Sequence, residues 1–166
     1  SCTFYRHEAV SEKMTRNIMK RLKYSNVEIE KTAHLVAEHM FHYDSLWTDA
    51  AVRRFIVRVG KENIDDLFAL RKADVFGLTG MYAEPNFLLE FTARINTILK
   101  ADGAYSLKDL AVNGKDLMAI GIPAGKCLGL VLHDLLETVL DDPAQNTKET
   151  LLPIASALYE RIQHFQ

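Results

Sequence analysis

The sequence predicts an all-α protein made of two packed helical subdomains, residues 1–80 and 81–166. Three observations point there. Apolar residues recur at three- and four-residue intervals in one segment after another, as a helix of 3.6 residues per turn requires. Capping residues stand where these segments begin, and glycine or proline where they end. No stretch alternates convincingly with period two, the mark of a half-buried strand. A length of 166 residues with 48% hydrophobic and 25% charged residues belongs to the soluble globular range.

The elements follow in order. Val10, Met14, Ile18 and Leu22 recur every four positions and share one side of a first helix. Ser25 with Glu28 three residues later is a capping-box signal for a second, running to about Met40 through Ile29, Leu35 and Val36. After a polar-aromatic loop around His42, Asp44 and Trp47, Thr48 or Asp49 caps a third helix that ends near Gly60. Asn63 to about Gly77 is a fourth, and the segment 77–84, with two glycines and no clear period, is the expected subdomain boundary. Pro85 suits the first position of a fifth helix, which turns Phe87, Leu88, Phe91, Ile95 and Leu99 inward and stops at Gly103. A short helix follows Ser106, another ends near Gly121, and a longer one starts around 123–125 and is stopped by Asp142 and Pro143. Asn146 with Glu149 signals the last helix, through Leu151, Ile154, Leu158 and Ile162, with Pro153 tolerable only near its start.

Composition narrows the function. Cys2 and Cys127 form no CxxC pair, which argues against a disulfide framework or a thiolate zinc site and favours a reducing cytoplasm. No apolar run approaches the roughly 20 residues of a membrane span, and the first residues lack the regions of a signal peptide. The missing initiator Met predicts that Ser1 is a fragment boundary. The net charge of −2 conceals an asymmetry: residues 1–72 carry 13 Lys/Arg against 10 Asp/Glu, residues 73–166 carry 7 against 12. A nucleic-acid surface is therefore expected mainly in the first half.

Four groups of residues are candidates for function. Lys13, Arg16, Lys20 and Lys23 span an arc of about 80° on a helix, largely opposite the apolar row, and such a stripe can follow a phosphate backbone. A solvated helix face has the same pattern. Arg54, Arg58 and Lys61 form a second basic set whose guanidinium forks suit phosphate oxygens, with pairing to Glu62, Asp65 or Asp66 as the alternative. GIPAGKCLG places Gly121, Gly125 and Lys126 in a turn between two helices, similar in layout to a helix-hairpin-helix turn. There free backbone N–H groups and a positive helix end can meet a phosphate, or the glycines can simply let two helices approach. Histidines at positions 7, 34, 39 and 42, with Asp74, are metal-ligand types without a diagnostic spacing. The sequence holds no P-loop, no GxSxG and no Asp-x-Asp pair in a strand pattern, so nothing in it is expected to hold the Mg²⁺ of nucleotidyl transfer.

Beyond these physical signals, FYRHEAVSEKM, LVAEHM, DAAVRRFIVRVG and DLFALRKAD resemble the second half of the HD-containing body region of bacterial CCA-adding tRNA nucleotidyltransferases. NGKDLMAIGIPAGKCLGLVLHDLLETVLDDPAQN resembles their tail, the more specific of the two likenesses. The resemblance implies a parent enzyme whose head domain, with Mg²⁺ on its carboxylates, adds CMP and AMP from CTP and ATP to tRNA. It also implies that the helical portion grips the acceptor arm and elbow of the tRNA, with no membrane partner, in the cytoplasm. The head is expected to be absent from this chain, leaving it catalytically inactive and without a tightly bound cofactor. In the HD motif, Asp74 matches a core metal ligand and His7 and His39 the additional histidines of longer variants; the histidine and His-Asp doublet would precede Ser1, and Arg6 stands where the motif often has Gly. A poly(A) polymerase of the same superfamily, an HD-domain metal-dependent phosphohydrolase fragment and a purely structural helical module are the alternatives.

Overall fold

The computed structural model describes residues 7–80, 86–101 and 105–164. Among them are eight α-helices and no strand: α1 (His7–Arg21), α2 (Asn26–Glu38), α3 (Asp49–Val59), α4 (Ile64–Thr79), α5 (Asn86–Lys100), α6 (Gly114–Ala119), α7 (Lys126–Asp141) and α8 (Lys148–His164), with short 3-10 turns at 61–63, 107–109 and 143–145. The chain divides into two compact units. Unit 1 is Ser1–Leu46 with Arg58–Ala93; unit 2 is Trp47–Val57 with Arg94–Gln166. The divisions thus fall within α3 and α5.

In unit 1, α1 lies along α2, and α2 against α4. The capping box expected at Ser25 is present: Glu28 N–H donates to Ser25 Oγ, and Ser25 N–H donates to Glu28 Oε2 at 2.9 Å. Ile29 and Ala33 are the buried residues of α2, Leu67 and Phe68 those of the middle of α4. The segment expected as a polar-aromatic loop supplies much of this core. From His39 to Asp44 burial alternates residue by residue, with His39, Phe41 and Tyr43 inside. Phe41 stacks on Phe68 with ring centroids 5.5 Å apart, and Tyr43 on Phe91 at 4.1 Å, its hydroxyl donating to Glu90. Burial alternates here although the segment is an irregular loop, and aromatic packing holds its buried side chains in place.

Unit 2 is built around α7. Leu135, Leu136, Val139 and Leu140 of that helix join Leu110, Val112, Leu117, Ile122, Leu151 and Ala155 in one buried cluster. Two details differ from expectation. Ile98, not Leu99, is the buried residue of the last turn of α5, because it is Ile98 that continues the 88–91–95 row at helical spacing. Thr147, not Asn146, caps α8: Thr150 N–H donates to Thr147 Oγ1 at 3.2 Å, while the Asn146 amide accepts from Ala111 N–H and donates to Asp109 O. Asn146 therefore ties the 107–109 turn to the start of α8. Pro153 is the sixth residue of α8 and removes one N–H from its ladder, a loss confined to the second turn. The expectations placed on Cys2, Arg6, Pro85 and Gly103 lie outside the described residues.

Candidate nucleic-acid interface

The first basic set lies on α1 and just beyond it, but its members are not equivalent. Lys13, Lys20 and Lys23 are exposed, and among the described residues none has an ion-pair partner. Arg16 is half-buried and committed. Its guanidinium donates to Glu30 of α2 and to Glu12 one turn back, and these hydrogen bonds, Glu30 first, hold its pKa above the ordinary value. Arg16 thus fastens α1 to α2 at the surface, its donors already engaged.

Lys23 carries a further feature. α1 closes with Lys23 N–H donating to Lys20 O and Tyr24 N–H to Met19 O, both 3.1 Å, the bonding of a Schellman motif. That motif requires a left-handed residue, and Lys23 takes it at φ 60, the one non-glycine with positive φ among the described residues. The left-handed region costs an L-residue roughly 1–2 kcal/mol.

The second set splits. Arg54 belongs to unit 2, Arg58 and Lys61 to unit 1. Arg54 is held by two carboxylates of α7, its Nε donating to Glu137 at 2.7 Å and its Nη2 to Asp141 at 2.8 Å; these bonds, Glu137 first, raise its pKa. Arg58 pairs with Glu38 at 2.9 Å. The acids next to them in sequence are not the partners, and Asp66 instead pairs with Lys31. Lys61 is exposed and unpaired among the described residues. Of the seven side chains in the two sets, the four lysines are therefore available to a polyanion and the three arginines are engaged.

The turn between α6 and α7 is also a Schellman motif. Gly121 N–H donates to Met118 O and Ile122 N–H to Leu117 O; Gly121 is left-handed at φ 96, and Ile122 and Leu117 are both buried, sealing the turn. Gly121 is thus explained by the hairpin itself. Gly125 is different. It precedes α7 at φ 127, no side chain caps the helix there, and a Cβ on it would meet nothing within 4 Å. The first N–H groups of α7 and the exposed, unpaired Lys126 therefore stand together at an open surface. The start of α6 is fixed by Asn113 and Asp116, and the Asp116 carboxyl is held below its ordinary range by Lys148 of α8 and by Asn113 N–H.

Of the metal-ligand types, His7 and His39 come together with ring centroids 5.7 Å apart, edge to face. Asp74 instead pairs with Arg71 at 3.1 Å. His39 Nδ1 faces Val36 O and His34 Nε2 faces Val59 O, so both are tied to backbone. Among the described residues no three His, Cys, Asp or Glu side chains are grouped as a metal requires. No helix there is long and apolar enough to cross a membrane.

Three polar anchors were not foreseen. Arg53 donates to Leu140 O at 2.6 Å and Asp141 O at 3.1 Å. Arg94 donates to Asp49 and to Trp47 O, pinning the approach to α3. Lys148 reaches Asp116. Each joins residues at least 32 positions apart, and no local pattern encodes such a pair.

Residues 3–155 match the family described as tRNA nucleotidyltransferase domain 2. The chain belongs to that family. An A-adding tRNA nucleotidyltransferase of Deinococcus radiodurans is 28% identical over 137 residues, covering 81% of this chain and 31% of that protein. This tRNA nucleotidyltransferase domain thus spans about a third of that relative's length. No solved structure matches. The resemblance read from the sequence motifs holds at the level of the family, and the free lysines and the open turn are the features of this tRNA nucleotidyltransferase domain most suited to a polyanion.

Proposed function

We propose that this chain is the tRNA-gripping helical portion of a tRNA nucleotidyltransferase whose head, a separate part of the parent polypeptide, binds Mg²⁺, CTP and ATP and builds the CCA end. The family match over 3–155 carries the reading. The unpaired Lys13, Lys20, Lys23 and Lys61, and the open Gly125–Lys126 start of α7, support it, because each offers positive charge or N–H groups to phosphate without first breaking an internal bond. Residues 1–80 serve as the later half of the body and 81–166 as the tail in this reading, and the enzyme works in the cytoplasm on the acceptor arm and elbow of tRNA.

The test is binding of labelled tRNA over a salt series. The chain binds and incorporates neither CMP nor AMP. Alanine at Lys13, Lys20 and Lys23 flattens the logarithmic salt slope by about 0.7–0.9 for each phosphate that is no longer neutralised, whereas Arg16→Ala changes it less. An unchanged slope in the triple variant would return the stripe to ordinary solvation. A second reading, a parent that adds only AMP, is favoured by the A-adding relative. The intact parent separates the two: CMP incorporation into tRNA lacking its CCA supports the first, and AMP incorporation restricted to tRNA ending in CC the second.

A further inference from the structure

Arg53 and Arg54 are neighbours on α3, and both are spent on one end of α7. Arg54 grips Glu137 and Asp141, one turn apart, with Nε and Nη2; Arg53 donates to the carbonyls of Leu140 and Asp141. Those carbonyls lie in the last turn, where the helix itself supplies no N–H partner. Two positive charges at this end also oppose the negative pole of the helix dipole. The other end of α7 has no side-chain cap and carries Gly125 and Lys126.

From this asymmetry we infer that Arg53 and Arg54 are positioning residues for tRNA: they fix the axial register and rotation of α7, and so the placement of the Gly125–Lys126 start, without touching RNA themselves. The inference rests on the tRNA-binding reading above. A direct phosphate contact by Arg54 is disfavoured by charge, since a phosphate displacing Glu137 and Asp141 would leave both carboxylates unpaired beside a polyanion. An effect on tRNA must then travel along the helix. Lys126 and Glu137 are 11 residues apart, about 16 Å along α7 at 1.5 Å per residue. Sites so separated are ordinarily independent, so coupling between them is diagnostic.

The experiment is a double-mutant cycle on the 166-residue chain, read as tRNA affinity across a salt series, with thermal melting as the check on folding. Arg54→Gln is expected to weaken tRNA binding about three- to tenfold. In a Gly125→Val background, which blocks close approach to the turn, it is expected to add nothing. Exchanging the charges, Arg54→Glu with Glu137→Arg, restores affinity, and Arg54→Lys lies between. Three results would overturn the inference. Additive losses with a salt slope lower by about 0.9 would make Arg54 a phosphate ligand. A lower melting temperature with unchanged tRNA affinity would leave it a stabilising contact only. Unchanged affinity in Gly125→Val alone would remove the turn from the RNA site and the inference with it, while the tRNA-binding reading fails separately, if the unsubstituted chain shows no salt-dependent binding of tRNA.

Discussion

α1 and α7 are helices of 15 and 16 residues, each with an apolar row at helical spacing, and their fates differ completely. α7 buries Val131, Leu135, Leu136, Val139 and Leu140, while α1 buries nothing. Its row of Val10, Met14, Ile18 and Leu22 is 43–59% exposed, because α2 packs beside the row, along the side that carries Glu12, Thr15, Arg16 and Met19. Periodicity tells which side of a helix is apolar; whether that side is covered is decided by neighbours the helix cannot see. The same contrast runs through the charges. On α1 three of the four candidate cations stay free, whereas the arginines that meet α7 are absorbed by its acidic end.

The contrast is broken most forcefully in α7. Leu135 has no solvent exposure and sits inside the unit 2 cluster, so Leu135→Ala removes buried methyl groups and leaves a cavity. A loss of about 2–5 kcal/mol is expected in denaturant titration. A loss under about 1 kcal/mol would mean that the cluster repacks freely around the gap, and that α7 is no better anchored than α1.

Lys23 sharpens the comparison at the level of function. Glycine at this left-handed site relieves the Cβ strain but adds chain entropy to the unfolded state, for a net gain of about 0.5–1 kcal/mol in stability. If the lysine contacts tRNA phosphate, Lys23→Gly is more stable and binds tRNA more weakly, with a salt slope lower by about 0.7–0.9. A more stable protein with unaltered tRNA binding would make Lys23 an ordinary C-cap residue that glycine improves.

Much of the fold was legible because its signals are local. The Ser25 box, the Thr48 hydroxyl accepting from Ala51 N–H at the start of α3, and the stop of α7 at Asp142 all lie within four residues of what they control. Reading failed where a side chain answers to distant residues. Asn146 resembles a cap by its spacing to Glu149, yet serves the 107–109 turn; the loop that holds Phe41 and Tyr43 is where it was expected, but its burial is invisible until Phe68 and Phe91 are placed against it. In the candidate site, residue types were legible and commitments were not. Arg16, Arg54 and Arg58 fit a basic stripe as well as the lysines do, but their partners Glu30, Glu137, Asp141 and Glu38 stand 14 to 87 positions away. Within these two sets the ion pairs go to arginine, whose five donors in a planar fork match a carboxylate, although lysine also pairs elsewhere, Lys31 with Asp66 and Lys148 with Asp116.

The smallest expected effect tests the other side of the comparison. Met14 is 56% exposed and belongs to the uncovered row of α1, so Met14→Gln exchanges one straight-chain helix former for another and removes little buried surface. Stability should change by less than about 0.5 kcal/mol, as for a surface site outside any cap or core. The measurement is an equilibrium unfolding curve at two protein concentrations. If Met14→Gln costs more than about 1 kcal/mol and the cost grows with concentration, the row is covered in solution by another copy of the chain, since association stabilises by mass action. A cost of that size independent of concentration would place Met14 in the core of unit 1. A change near zero at both concentrations leaves α1 as a helix held along one side by α2, with its apolar row and its lysines both facing outward.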